Sequence, residues 1–143
     1  MADKKRRKNG FTLIELMIVV IILGLLASIV VPKLFKSVGK AKPVAAKTQI
    51  ENLKTALSTY WLENNAYPTT EQGLTALVKK PEAEPLPANW DGPYMDGDVP
   101  KDPWGNDYVY ESPSGDREFA IISYGADGKE GGEKENSDIS SFK

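Results

Sequence analysis

Residues 11–31 read FTLIELMIVVIILGLLASIVV, a run in which Glu15 is the only charged side chain and Thr12, Gly24 and Ser28 the only other breaks in apolar character. As an α-helix these residues would be about 31 Å long at 1.5 Å per residue, close to the roughly 30 Å hydrocarbon core of a bilayer. A buried core helix and a cleaved secretory signal are the plainer readings. The run exceeds the apolar region of about 7–15 residues that a signal carries, and it is succeeded by Pro32-Lys33-Leu34-Phe35-Lys36 instead of a small-x-small cleavage site. A membrane-spanning helix fits best. Gly24, Ala27 and Ser28 allow close helix approach, a weak sign of self-association.

Upstream, Lys4-Lys5-Arg6-Arg7-Lys8 forms a dense basic cluster. Lysines also lie just beyond the span, so the positive-inside rule only weakly favours the first cluster as the cytoplasmic end. Glu15 is the sharper clue. A carboxylate within an apolar span costs about 2.5–3.5 kcal/mol near the bilayer centre and less at its edge, and it usually has a partner. No Lys or Arg lies between Phe11 and Val31. Either Glu15 snorkels to the interface, or a cut between Gly10 and Phe11 creates an α-amino group that meets Glu15 from a neighbouring copy.

The chain has 143 residues and a net charge of −2, which suits one modest domain. The sum conceals a gradient. Residues 1–10 hold five basic side chains against one acidic, and residues 33–54 hold six Lys against Glu51. Residues 55–143 hold seven basic against seventeen acidic. With no His and no Cys, the chain can build neither a Ser-His-Asp nor a Cys-His nucleophilic centre, nor an ordinary zinc site, iron–sulfur cluster or disulfide scaffold. Carboxylate chemistry, lysine nucleophiles and oxygen-bound hard cations survive that exclusion.

Beyond the span, Val44, Ile50, Leu53, Leu57 and Tyr60 or Trp61 recur at helical spacing, predicting a helix that continues to about Asn64 and stops in Asn64-Asn65-Ala66-Tyr67-Pro68. Pro32, Gly39 and Pro43 are expected to interrupt it. Eleven of the thirteen aromatic residues lie at or after Tyr60, so the soluble core must be assembled there. Thr69-Thr70-Glu71-Gln72 predicts a capping box opening a short helix that ends before Pro81, with Leu74, Leu77 and Val78 on one face. Six prolines between Pro81 and Pro103 predict an irregular but packed loop anchored by Trp90, Tyr94 and Trp104. Residues 107–111 and 118–124 alternate and read as strands of a hairpin across Ser112-Pro113-Ser114-Gly115-Asp116. The fold class is α+β, with a long N-terminal helix and a small head of short helix, irregular loop and antiparallel sheet.

The tail from Gly125 to Asp138 is rich in Gly and Glu. Its oxygens, on Asp127, Glu130, Glu133, Glu135, Asn136, Ser137 and Asp138, suit calcium, which takes six to eight oxygen ligands at about 2.3–2.6 Å. The spacing is not that of an EF-hand, and composition alone favours a solvated acidic segment.

Lys8-Asn9-Gly10 followed by Phe11-Thr12-Leu13-Ile14-Glu15 resembles the class III leader of type IV pilins and type II secretion pseudopilins. Tyr67-Pro68-Thr69-Thr70-Glu71-Gln72-Gly73-Leu74, Asp102-Pro103-Trp104-Gly105-Asn106 and Ser123-Tyr124-Gly125-Ala126-Asp127-Gly128 resemble the major pseudopilin branch of that superfamily. Asp107 departs from the Pro common after Gly-Asn, and Lys134 to Ser137 depart from a stretch often richer in Asp. The resemblance implies residues 1–10 as a cleaved basic leader, 11–32 as a transmembrane and filament-core helix, 33–64 as an amphipathic helix and 65–143 as a periplasmic head. It implies cleavage between Gly10 and Phe11 by a prepilin peptidase, N-methylation of Phe11, and pairing of Glu15 with the Phe11 amine of an adjacent subunit. It also implies a calcium ion in the C-terminal loop, with the Asp127 and Asp138 side chains and the Tyr124 and Ala126 carbonyls as ligands and Asn136 as a further one.

The implied function is structural rather than enzymatic. On that resemblance the subunit would be a single-pass protein of the inner membrane of a Gram-negative-type bacterium, polymerising into a periplasmic pseudopilus that drives export of folded proteins across the outer membrane. Its partners would be copies of itself, other pseudopilins, the prepilin peptidase, the inner-membrane assembly platform and the lipid bilayer. A type IV major pilin for adhesion or motility is the alternative within the superfamily, and a membrane-tethered periplasmic enzyme the alternative outside it. Nucleic acid is disfavoured, because the acidic head has no basic face.

Overall fold

The computed structural model describes residues 10–142, with the side chains of 33–38 and 40 outside the description. The basic cluster Lys4 to Lys8 therefore lies outside the described residues. Two compact units divide between Val38 and Gly39, and helix α1, Leu13–Asn64, contributes to each.

In the first unit, the 20 residues Leu13–Pro32 meet the length and composition of a membrane span, and none of them is buried. Leucine, isoleucine and valine point outward on every side, with Leu13 79% exposed and Leu25 64% exposed. A helix apolar all round is stable only against lipid or other protein. The interruptions expected at Pro32, Gly39 and Pro43 do not occur, and α1 runs through all three. Each proline removes one donor from the ladder, and the bonds on either side carry the helix across it.

In the second unit, Ala46, Ile50, Leu53, Leu57 and Tyr60 recur every three or four residues along α1 and are buried. This stripe faces Leu74, Leu77, Tyr108, Tyr110 and Ile121 to form the core. The amphipathic part of α1 is therefore part of the head's own core, and the head's compact unit begins at Gly39 instead of at residue 65. On the outer face, Lys54 pairs with Glu51 at 3.1 Å. Asn65 ends α1 in the left-handed conformation, φ 54°, and its N–H donates to the Trp61 carbonyl at 2.7 Å, the αL stop that Asn tolerates.

The capping box at Thr69 forms as expected. Gln72 N–H donates to Thr69 Oγ1 at 3.2 Å, and Gln72 Oε1 accepts from Thr69 N–H at 3.0 Å. The box opens onto a 3-10 turn, Leu74–Leu77, and not onto an α-helix. The carbonyls that a longer helix would need are taken by the proline-rich loop. Trp90 Nε1 donates to Ala76 O at 2.9 Å, Tyr94 N–H donates to Leu77 O at 2.7 Å, and Pro81 has no N–H to offer Leu77. Of the expected anchors, Trp90 and Tyr94 pack against the core, Tyr94 also donating to Glu63 Oε2 at 2.5 Å and packing edge-on against Tyr60, whereas the Trp104 indole N–H has no hydrogen-bond partner among the described residues.

Strands β1, Val109–Glu111, β2, Ala120–Ser123, and β3, Ile139–Ser140, form an antiparallel sheet in the order β1-β2-β3. Tyr110 faces Ile121 and Ser123 faces Ile139. The hairpin is the expected one with shorter strands. The third strand directly follows the Gly- and Glu-rich tail, and it converts β2 into a central strand, three of whose four residues are buried.

Candidate functional site

At the start of α1, Gly10 and Phe11 precede the first helical turn, and Phe11 is 89% exposed. Thr12 is the N-cap. Its Oγ1 accepts from Glu15 N–H at 3.2 Å, while Glu15 Oε2 accepts from Thr12 N–H at 2.9 Å and from the Thr12 hydroxyl at 3.0 Å. This is the reciprocal capping box of a Thr-x-x-Glu sequence. Within one subunit the only carboxylate of the span thus caps its own helix, where the positive end of the helix dipole favours it. The signal was present in the sequence. The same spacing is legible at Thr69 and Gln72, whereas here it is masked by the reading of Thr12 as a mere break in an apolar run.

At the other end, the chain leaves β2 through a 3-10 turn, Gly125–Asp127, and returns through another, Lys134–Asn136, into β3. Glycine is required where the two passes touch. A Cβ on Gly125, at φ 65°, would stand 2.7 Å from Glu135 O, and one on Gly132, at φ 98°, 2.5 Å from Asn136 O. Tyr124, Asn136 and Asp138 are half-buried, whereas Ala126 and Asp127 face solvent. Asp127 Oδ1 accepts from Lys129 N–H at 3.2 Å.

Asp138 Oδ2 accepts from Gly131 N–H at 2.9 Å, which ties the loop to its own return. Its Oδ1 is buried and has no hydrogen-bond partner among the described residues. A buried carboxylate oxygen without a donor is costly, and either a water or a hard cation would satisfy it. Among the described residues no three or more acidic side chains are grouped so that they could hold a metal ion. A cation at Asp138 would need backbone and amide oxygens for most of its positions, a mixed set that calcium accepts.

Three residues beneath this loop carry no functional signal of their own in the sequence. Asp102 is buried, its Oδ1 accepting from Trp104 N–H at 3.0 Å and Asn106 N–H at 2.8 Å, and its Oδ2 from the Ser123 hydroxyl at 2.6 Å. Ser123 Oγ accepts from Gly125 N–H at 3.3 Å, and Asn106 Nδ2 donates to Gly125 O at 2.9 Å. Asp and Asn four apart around Gly105 are a turn signature, but the link from that turn to residue 125 is long-range.

The family described as "Type II secretion system (T2SS), protein G" matches residues 33–142. The chain belongs to that family. A prokaryotic N-terminal methylation motif matches residues 5–31, around Gly10, Phe11 and Glu15. Among relatives of this chain, a type II secretion system core protein G of Pseudomonas aeruginosa is 48% identical over 139 residues, covering 97% of this chain and 98% of the relative. Another, of Vibrio cholerae, is 50% identical over 140 residues, covering 97% and 94%. The solved structure of the major pseudopilin of the type 2 secretion system of enterohaemorrhagic Escherichia coli superposes with a TM-score of 0.65 at 40% identity, covering 77% of this chain and 94% of that one. The pseudopilin fold expected from the resemblance is the fold observed, and these likenesses do not favour a type IV pilin for adhesion or motility.

Proposed function

We propose that this pseudopilin is made as an inner-membrane precursor, cut between Gly10 and Phe11 by a prepilin peptidase, N-methylated on Phe11, and polymerised into the pseudopilus that drives folded proteins across the outer membrane. The observation that carries the reading is the helix Leu13–Pro32, apolar on all sides and buried nowhere, with the single carboxylate of the span at its start. Lipid covers that surface before assembly, and the same helices of neighbouring copies cover it afterwards, with the acidic head in the periplasm. Copies joined by one heterologous, non-closing contact form a filament.

Glu15 sets the register of that contact. The carboxylate has no cation of its own in the span, so a subunit docked one step out of register would bury it unpaired, at a cost well above that of the paired state. The Phe11 amine of the neighbour supplies the missing charge. The subunit works by packing and pushing and not by catalysis, and its partners are its own copies, the other pseudopilins and the assembly platform of the inner membrane.

Calcium is assigned to the loop from Tyr124 to Asp138. The Asp127 and Asp138 carboxylates, the Tyr124 and Ala126 carbonyls and the Asn136 amide oxygen would hold it, and the buried, unpartnered Asp138 Oδ1 supports that choice. When bound it supplies a double positive charge that joins acidic segments which otherwise repel. Overproduction of the full chain with the secretion apparatus tests the filament reading. Sheared surface filaments made of this chain are expected from the wild type and not from Glu15→Ala; filaments from Glu15→Ala at wild-type yield would overturn the role of the carboxylate.

A further inference from the structure

Asp102 is a buried carboxylate whose partners are all neutral donors, none of the ion pairs among the described residues involving it. A buried anion without a counter-ion is expensive to keep, and three hydrogen bonds to the charged form offset that expense. What the arrangement secures is the peptide on either side of Gly125. Its N–H is held by Ser123 Oγ, which Asp102 orients by accepting the hydroxyl proton, and its C=O is held by Asn106 Nδ2, whose own backbone N–H is fixed by Asp102.

The N–H of Gly125 and the carbonyl of Tyr124 belong to the same peptide group. That group is planar and trans, so the two point in opposite directions, and aiming one aims the other. The Gly125 carbonyl likewise fixes the plane from which Ala126 departs. A Cβ on Gly128 would stand 3.4 Å from Asn106 Oδ1, so Asn106 also backs the end of that turn.

We propose that Asp102 and Asn106 are positioning residues for calcium: acting through Ser123 and Gly125, they hold the Tyr124–Ala126 backbone in its ion-binding shape without supplying a ligand atom. This rests on the assignment of calcium to the loop. The two are separated by titrating calcium chloride into the full chain in detergent micelles by calorimetry, with melting followed in parallel in calcium and in chelator.

Asn106→Ala and Ser123→Ala each remove one hydrogen bond from the bracket and are expected to weaken calcium binding about ten-fold, the factor that one such bond commonly sets. The gap between melting in calcium and in chelator should shrink with them. A merely structural role would lower both melting temperatures equally and leave the affinity alone, and that result, with wild-type affinity in both variants, overturns the proposal. A flat titration of the wild type overturns the calcium assignment and this proposal with it. Should Asn106→Ala fail to fold, Ser123→Ala, which deletes a single oxygen, decides the matter.

Discussion

Thr12 and Glu15 cap each other at the first turn of α1, Glu15 Oε2 accepting from Thr12 N–H at 2.9 Å while Thr12 Oγ1 accepts from Glu15 N–H at 3.2 Å. Capping and charge can therefore be separated by mutation. Gln serves the box as well as Glu, so Glu15→Gln should leave the subunit helical and membrane-bound yet abolish filaments for want of a charge. Thr12→Val keeps the charge and loses the cap, at a cost of about 1 kcal/mol, and should still assemble. Counting sheared filaments from the two variants checks the order; assembly of Glu15→Gln at wild-type level would show that the cap, and not the charge, is what matters.

Removal of calcium should destabilise the head by mass action, because the ion binds the folded loop and not the unfolded chain. A melt in excess chelator is expected to fall below one in calcium for the wild type. Asp127→Ala should melt at the lower temperature in calcium and show no further drop in chelator. A chelator response that survives the substitution would contradict the ligand assignment.

Leu57 is fully buried on α1, and Leu62, five residues on, is 75% exposed. Leu57→Ala should cost about 2–5 kcal/mol through lost burial and a cavity, whereas Leu62→Ala should stay within about 0.5 kcal/mol. Denaturant unfolding of the full chain in detergent, read on the tryptophans, measures both. Equal effects would mean that the stripe through Ile50, Leu53 and Leu57 is not the core of the head.

Tyr110 donates its hydroxyl to the Pro68 carbonyl at 2.8 Å, and burial pushes its pKa up to about 12. Burial raises Tyr60, Tyr67, Tyr94 and Tyr108 as well. A group whose folded pKa lies above its unfolded value of about 10 stabilises fully below that pH and loses its contribution as pH rises through the folded value. Stability should therefore decline from about pH 10 towards pH 12. Tyr110→Phe should flatten part of the slope while lowering the neutral-pH melting temperature through the lost hydrogen bond. An unaltered alkaline slope in Tyr110→Phe would remove Tyr110 from the account.

Local chemistry is what could be read along the chain. The α1 stop at Asn65, the Thr69–Gln72 box and the hairpin of Tyr110 and Ile121 each depend on residues a few positions apart or on strict alternation. Ile139 and Ser140 were invisible as a strand because two residues carry no period, and their pairing is with Ser123 and Ile122. The 3-10 turn at Leu74 departs from the expected helix because Trp90 and Tyr94, distant in sequence, claim its carbonyls. The same applies to the site. Glu15 stands out as a lone charge, and the acidic tail stands out by composition. That Asp138 carries a buried, unpartnered oxygen depends on the folded environment, and that Asp102 reaches Gly125 through Ser123 depends on folding that brings residues some twenty positions apart into contact.

The most direct test of the central claim, that the apolar helix of α1 gains a free amine at Phe11 and meets Glu15 of a neighbouring copy, is the intact mass of the chain extracted from membranes of cells carrying the secretion apparatus. The expected species begins at Phe11 and carries one added methyl group. A chain that keeps Met1 to Gly10, purified as a soluble monomer, would contradict the account at its root.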